Sequence, residues 1–251
     1  MQLKFHQCCG ALALASAVFF SACSKQDTSN PQPANANGQI SYEMAAENPN
    51  STISGDAAGI EKLAAITNQP SMAKTTGLFD FTWTEVMLRI REIKFSARKG
   101  SDEVNFSAKV DKLVDVLKAI GFIGVIDIPN GTYQHVKVYV KAAGDTTNPA
   151  AILKGKITWQ GTDIPFSIRL AGTMTMKADA RDVVVSDTSL SMKGKLMLDL
   201  KIVTAKLQLG DFTGSFSGGQ LVINVNLNTG MGGKIRGGFE SCMHADHRRN
   251  D

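Results

Sequence analysis

The sequence predicts a mainly β protein, an antiparallel β-sandwich or flattened barrel with one short helix. Apolar and polar residues alternate through most of the second half, as in Ile164, Phe166, Ile168 and Leu170. This period of two gives each strand one apolar face and one polar face. Apolar faces must be buried against each other, so two packed sheets or one rolled sheet satisfy the pattern. A hydrophobic content of 43% and a charged content of 20% are typical of a globular protein.

The elements follow in order from Leu78. Alternation from Val86 to Phe95 changes phase near Arg91-Glu92, which predicts a strand with a β-bulge. The helical spacing of Val110, Leu113, Val114 and Leu117 predicts the short helix at residues 110–117. Pro129-Asn130-Gly131 predicts a turn between strands at residues 124–128 and 132–141. Later strands are predicted from the apolar sets Leu153, Ile157 and Trp159; Met174 and Met176; Leu190 to Ile202; and Leu221 to Leu227.

The first 22 residues have the order of a secretory signal. Lys4 precedes a short apolar run at residues 10–20, and Ser21-Ala22 lead into Cys23. The run is shorter than a bilayer-spanning helix. The segment resembles a bacterial lipoprotein signal, which implies that Cys23 is acylated with fatty acids such as palmitate and is the first residue of the mature protein. Cys23 is followed by Ser24 and not by aspartate, which resembles the sorting signal of lipoproteins located in the outer membrane of the cell envelope.

Composition divides the mature chain further. Residues 23–76 are rich in Ser, Asn, Pro and Gln, which predicts a flexible tether with a short helix around residues 57–66. The β-sandwich domain is expected at residues 77–238, and a subdivision near residues 145–150 stays open. Glycine-rich residues 230–238 are expected to be loose, and residues 239–251 are expected to be a polar C-terminal tail.

One segment carries a family resemblance. The strand from Val86 to Phe95, the Val-Asp-Lys-Leu-Val-Asp-Val-Leu run at residues 110–117, and the Pro-Asn-Gly-Thr-Tyr hairpin at residues 129–133 lie within it. Residues 78–143 resemble a family of domains of unknown function in bacterial lipoproteins, many from Bacteroidota. The hairpin is also similar to that of transthyretin-like, prealbumin-type sandwiches. The resemblance implies a sandwich fold and an envelope location, but no reaction.

The candidate chemical groups are few. His135 is the one histidine in the predicted domain, and its alternation with Val136 and Val138 places it on the solvated face, so we expect no catalytic residues and no enzyme. No cofactor motif is found. A weak metal-site candidate is the soft-ligand cluster of Cys242, Met243, His244 and His247 near the C-terminus.

Three polar rows are candidate binding surfaces. The first is His135, Lys137, Tyr139 and Lys141, the second is Lys193, Lys195 and Lys201, and the third is Asn224, Asn226 and Asn228. Lysine rows suit anionic glycans, lipid headgroups or partner proteins, and amides suit sugar hydroxyls. Each row is also what a solvated sheet face requires.

These observations predict a membrane-anchored lipoprotein with a non-enzymatic binding domain. The chain has a net charge of +4, of which Lys4 leaves with the signal, so no nucleic-acid partner is expected. The partners expected are the membrane, through the lipid anchor, and a glycan or an envelope protein. The alternative is a carrier of a lipid or other apolar ligand, which requires an open cavity inside the sheets. A hydrolase or metalloprotein is the third hypothesis.

Overall fold

The computed structural model describes residues 38–67, 76–159, 161–185 and 192–246, all within one compact unit. The described residues are mainly β, which confirms the predicted fold class. The strands are β1 (Gly38–Glu47), β2 (Asn50–Gly55), β3 (Gly77–Lys99), β4 (Asp102–Asp115), β5 (Gly121–Ile128), β6 (Gly131–Gly144), β7 (Ala151–Trp159), β8 (Thr162–Asp179), β9 (Val183–Val185), β10 (Met192–Asp199), β11 (Ser215–Ser217), β12 (Gln220–Asn226) and β13 (Met243–Ala245). The helices are α1 (Ala57–Thr67), α2 (Leu200–Thr204) and α3 (Gly230–Cys242), with a 3₁₀ turn at Leu209–Asp211.

The centre of the larger sheet consists of β3, of β8, and of β6 and β7 between them. β6 and β7 lie end to end along β3, because Ala142 is opposite Ile90 and Ala151 is opposite Leu88. β8 then runs antiparallel to β7 and, beyond Gly172, to β6. The loop at residues 145–150 separates β6 from β7, whereas β3 and β8 both continue past it without a break. This loop is therefore an insertion in a continuous sheet and not a domain boundary.

The flanks of this sheet are covered by shorter strands. β2 and β4 pair with the outer edge of β3, and β12 pairs with β8 and leads to β11. The predicted bulge in β3 is confirmed, since its register with β4 and β6 shifts between Ile90 and Glu92. The bulge keeps apolar side chains directed inward on both sides of the shift, so Val86, Leu88, Ile93 and Phe95 are all buried.

The smaller sheet has the order β13-β10-β1-β5 and forms the second layer of the sandwich. Ile40 of β1 and Leu196 of β10 are buried in one core with Phe95 and Val138 of the larger sheet. β5 closes one edge of the sandwich, where a Cβ built on Gly124 would lie 2.8 Å from Ile93 Cδ1. This close approach explains the glycine and makes the core barrel-like.

Helices cover the other half of the larger sheet. The rings of Phe81, Phe166 and Phe212 pack together with centroids 5.2 to 5.9 Å apart. The Trp83 indole N–H donates a hydrogen bond of 2.9 Å to the Thr204 hydroxyl of α2. The core therefore continues from the sandwich into a helix-covered region. Buried polar groups are tolerated there because they are paired.

The predicted flexible tether is wrong for much of its length. Residues 38–67 form β1, β2 and α1, and β1 is a central strand of the smaller sheet. Ile40, Tyr42 and Met44 alternate with polar residues and are buried. This alternating run is short, and the polar composition of residues 23–76 as a whole outweighs it in a prediction from composition. The helix expected around residues 57–66 is confirmed by α1. Residues 23–37 and 68–75 lie outside the described residues.

The predicted helix at residues 110–117 is also wrong, because β4 extends to Asp115. β4 lies at the edge of the larger sheet, so its alternation is weaker than that of a central strand. Lys112 occupies an inward position, and its ammonium nitrogen lies over the ring of Phe122, 4.0 Å from the ring centroid. Leu113 points outward and is 42% exposed. These two exceptions produced the apparent helical spacing.

The predicted strand from Leu190 to Ile202 ends earlier than expected. β10 stops at Asp199, whose carboxylate accepts the backbone N–H of Lys201 and so begins α2. Leu190 lies outside the described residues. The expectation of purely antiparallel sheets is wrong in two places, because β10 is parallel to β1 and β12 is parallel to β8.

The glycine-rich segment from Gly230 is not loose, and the polar tail begins later than expected. Residues 230–242 form α3, in which Ile235, Phe239 and Cys242 are buried, and β13 follows. The glycines permit close packing: a Cβ on Gly238 would lie 2.8 Å from the Cα of Val203 in α2. The same small residues that allow α2 and α3 to approach each other also give this segment the composition of a loose chain.

Candidate functional site

The first predicted row lies on the exposed side of β6 as expected, but it divides between two grooves. Val136, Val138 and Val140 are buried on the opposite side. Tyr139 and Lys141 line a shallow groove of about 160 Å³ together with Lys94, whose ammonium group lies 5.9 Å from the Tyr139 ring centroid. His135 and Lys137 line a second, polar groove.

His135 has a positive φ of 51°, which is uncommon for a residue other than glycine. Its backbone N–H donates a hydrogen bond of 2.9 Å to the Asp182 carboxylate. β8 and β9 pair with β6 in the same register on either side of this point, so His135 marks a local kink between them. The backbone of His135 forms this kink. The imidazole ring of His135 is exposed to solvent.

The second lysine row does not form one surface. Lys193 and Lys195 are on β10, whereas Lys201 is on α2. The Lys195 ammonium lies 3.0 Å from an Asp246 carboxylate oxygen, and that of Lys193 lies 3.9 Å from a Glu43 oxygen. These ion pairs neutralise most of the row.

The asparagine row is likewise incomplete. Asn224 is exposed on β12, but Asn228 follows the end of that strand. The Asn226 side-chain oxygen accepts the Asn228 backbone N–H, and the Asn228 side-chain oxygen accepts an Arg236 guanidinium N–H at 2.7 Å. Two of the three amides therefore build the turn into α3.

The predicted metal ligands do not converge. Cys242 is buried, and burial, assisted by the nearby Asp199 charge, raises the pKa of its thiol to about 12. Met243 is buried while His244 is exposed beside Glu47, with 3.4 Å between His244 Nε2 and a Glu47 oxygen. His247 lies outside the described residues. Within the parts of the chain that the structure describes, no group of three or more His, Cys, Asp or Glu side chains is arranged to hold a metal ion.

A cleft between the two sheets is the best-formed candidate site. It has a volume of about 260 Å³, close to the lower end of the range of about 300–1,000 Å³ for small-molecule sites. Its walls come from β1 and β10 on one side and from β3 and β6 on the other. The apolar wall includes Ile40, Tyr42, Phe95, Val138, Met192 and Leu196. The cleft is thus an opening into the sandwich core.

Tyr42 places a polar group inside this apolar wall. The side chain is 3% exposed, and its hydroxyl makes no hydrogen bond to any described residue. A tyrosine phenol is protonated at neutral pH, and burial raises the pKa of Tyr42 further, so its hydroxyl is a hydrogen-bond donor. Its ring covers Gly194, its partner in the parallel pairing of β1 and β10, where a Cβ would lie 2.7 Å from Tyr42 Cε1. Gly194 therefore leaves space for the ring.

Charged side chains surround the mouth of the cleft. They are Arg181 and Asp182 between β8 and β9, Lys193 and Lys195 of β10, and Asp246 after β13. A polar groove of about 520 Å³ adjoins the cleft and shares Val136, Ala180 and Asp182 with it. An apolar interior with a charged rim is the usual arrangement of a site for an amphipathic ligand.

The sequence pattern indicated Lys193 and Lys195 of this site, but sequence reasoning missed Tyr42, Arg181 and Asp182. Tyr42 falls in the segment that its composition assigned to a tether, although the alternation of Ile40, Tyr42 and Met44 was a usable signal. Arg181 and Asp182 lie in a short connection with no periodic pattern. Their position beside β10 depends on the packing of two sheets, which no local sequence signal specifies.

Among the described residues, no helix combines the length and the apolar character needed to cross a membrane. Comparisons with protein-family models, with curated proteins and with solved structures found no match to this chain. The resemblance to a lipoprotein family therefore stays a prediction.

Proposed function

We propose that this chain is a membrane-anchored, non-enzymatic binding protein that holds a small apolar or amphipathic ligand in the cleft between its sheets. The observation that carries the proposal is the apolar cleft with the unpaired Tyr42 hydroxyl in its wall. The hydroxyl is not one of the fully buried, unpartnered polar atoms of the described residues, so a ligand acceptor would replace water at this donor. Among the earlier hypotheses, the cleft favours the apolar-ligand carrier over a purely surface-binding domain.

The lipid anchor belongs to the same proposal. The Ser-Ala-Cys sequence ending at Cys23 supports acylation there, and residues 24–37 would connect the anchor to β1. The outer membrane is the proposed location because Ser24 follows Cys23. A binding domain held close to a bilayer is suited to receive or deliver ligands that dissolve poorly in water.

Titration with octanol, a neutral probe with an apolar chain, tests the cleft directly. Residues 24–251 contain every described element and can be studied by calorimetry without detergent. We expect saturable binding, which Met192→Trp should weaken because the larger side chain fills the cleft from a half-buried position. Val222→Trp is the matched control on β12, away from the cleft. Absence of octanol binding, or equal loss in both variants, would refute the proposal.

A second candidate function is glycan binding at the groove of about 160 Å³ around Tyr139. The ring of Tyr139, flanked by Lys94 and Lys141, presents an aromatic surface with charged neighbours. Such a combination suits the apolar face and the hydroxyls of a sugar. A glycan array with wild-type protein and Tyr139→Ala tests it, and identical profiles would reject it.

A further inference from the structure

We propose that the cleft selects amphipathic anions, with Arg181 contacting the acidic headgroup at the mouth and the Tyr42 hydroxyl hydrogen-bonding the ligand inside. This inference rests on the proposed function, because it specifies which ligands the same cleft takes. It is carried by the charges at the mouth of the cleft and by which of them already have partners.

Both carboxylates that line the cleft are already engaged. Asp182 accepts the backbone N–H of His135 at 2.9 Å, and Asp246 lies 3.0 Å from the Lys195 ammonium. The Lys195 ammonium compensates the charge of Asp246, whereas the His135 N–H is a neutral donor that occupies one oxygen of Asp182 without compensating its charge. The lining still holds three cationic side chains against two carboxylates. The acidic groups at the mouth therefore do not favour a cationic headgroup.

Arg181 is different from the other cations of the lining. Lys195 pairs with Asp246, and Lys193 is 3.9 Å from Glu43. Arg181 is exposed and has no carboxylate within 4.0 Å among the residues that the structure describes. A guanidinium group offers two parallel N–H donors that match the two oxygens of a carboxylate. It is thus the group at the mouth that is available to an anion.

Tyr42 extends the recognition into the cleft. Its phenol is protonated at neutral pH, as any tyrosine is, and burial raises its pKa further, so it donates a hydrogen bond and does not repel an anion. Its ring is held against Gly194, which fixes the position of the hydroxyl. A ligand with an acidic end and an apolar body can pair with Arg181 and at the same time fill the apolar space between Ile40 and Phe95.

The test compares three probes of equal chain length: octanoate, octanol and octylamine. Calorimetry on residues 24–251 should give tighter binding of octanoate than of octanol by about fivefold, the upper range for an exposed ion pair. Added salt should weaken octanoate binding and leave octanol binding unchanged. Arg181→Gln should make the affinities for octanoate and octanol equal. Lys206→Gln removes an exposed charge away from the cleft and should preserve the difference.

The outcomes separate this inference from the proposed function. Equal binding of octanoate and octanol by the wild-type protein overturns the anion selectivity while the cleft remains a ligand site. Tighter binding of octylamine also overturns it, and so does an octanoate preference that survives Arg181→Gln. If none of the three probes binds, the proposed function fails together with the inference.

Discussion

Tyr42 and Tyr133 are both buried tyrosines, but only the Tyr133 hydroxyl has a hydrogen-bond partner among the described residues. The Tyr133 hydroxyl donates a hydrogen bond to the Pro129 carbonyl, next to the turn that the sequence predicted. Tyr42 lines the cleft, and its hydroxyl has no hydrogen-bond partner among the residues that the structure describes. Two tyrosines with similar burial therefore differ in what their oxygen atoms contribute, and this difference can be measured.

We expect Tyr42→Phe to leave the free energy of unfolding unchanged within about 1 kcal/mol, because no hydrogen bond within the protein is lost. Tyr133→Phe should lower it by about 1 kcal/mol, because the Pro129 carbonyl loses its donor. Urea unfolding of both variants measures the difference. An equal destabilisation would mean that Tyr42 has a protein partner and that its hydroxyl is not available to a ligand.

Among the elements, α3 illustrates best how much the sequence could predict. The strands that alternate clearly, such as β6 and the first half of β8, were predicted because burial on one face leaves a period of two. α3 carries five glycines in thirteen residues, so its local sequence opposes a helix. Tertiary packing against α2 and β8 overrides that weak propensity, and such packing is not visible in local sequence.

Two adjacent glycines of α3 provide a matched test of this explanation. A Cβ on Gly237 would meet no atom within 4 Å, whereas one on Gly238 would meet the backbone of Val203. Gly237→Ala should therefore raise the free energy of unfolding by up to about 1 kcal/mol, since alanine favours a helix.

Gly238→Ala should instead lower the free energy of unfolding, because α3 must move away from α2. Thermal unfolding of both variants decides the matter. Stabilisation by both substitutions would contradict the close packing of α2 and α3 described above.

The candidate site was less predictable than the fold. Lys137 and Lys141 are exposed and Tyr139 is half-buried on the face that their alternation predicted, because a solvated strand face follows directly from a local pattern. The cleft instead combines β1, β10 and the connection at residues 180–182, which are distant in sequence. Its formation depends on sheet order, and the parallel pairing of β1 with β10 has no local signature.

For the whole molecule, membrane attachment through Cys23 remains a prediction from the sequence. Acyl chains bind membranes with about 0.8 kcal/mol per buried CH₂ group, so several chains make release negligible. We expect the wild-type protein to fractionate with membranes and to incorporate a fatty-acid analogue. Cys23→Ser should lose the label and appear as uncleaved precursor or as soluble periplasmic protein.

Cys242→Ser is the control for Cys23→Ser, since it removes a buried thiol that is not the predicted acceptor. It should keep the label. Label that persists in Cys23→Ser, or a mature N-terminus at another residue, would contradict both the anchor and the envelope location.

The measurement that tests the ligand cleft most directly is methyl NMR of residues 24–251 labelled with ¹³C at the methionine methyl groups. Met192 lines the cleft, whereas Met231 is buried in α3 under the helix-covered half of the larger sheet. Addition of octanol should shift the Met192 resonance in a saturable manner and leave the Met231 resonance in place. An unchanged Met192 resonance, or equal shifts at both methionines, would contradict the cleft as a ligand site.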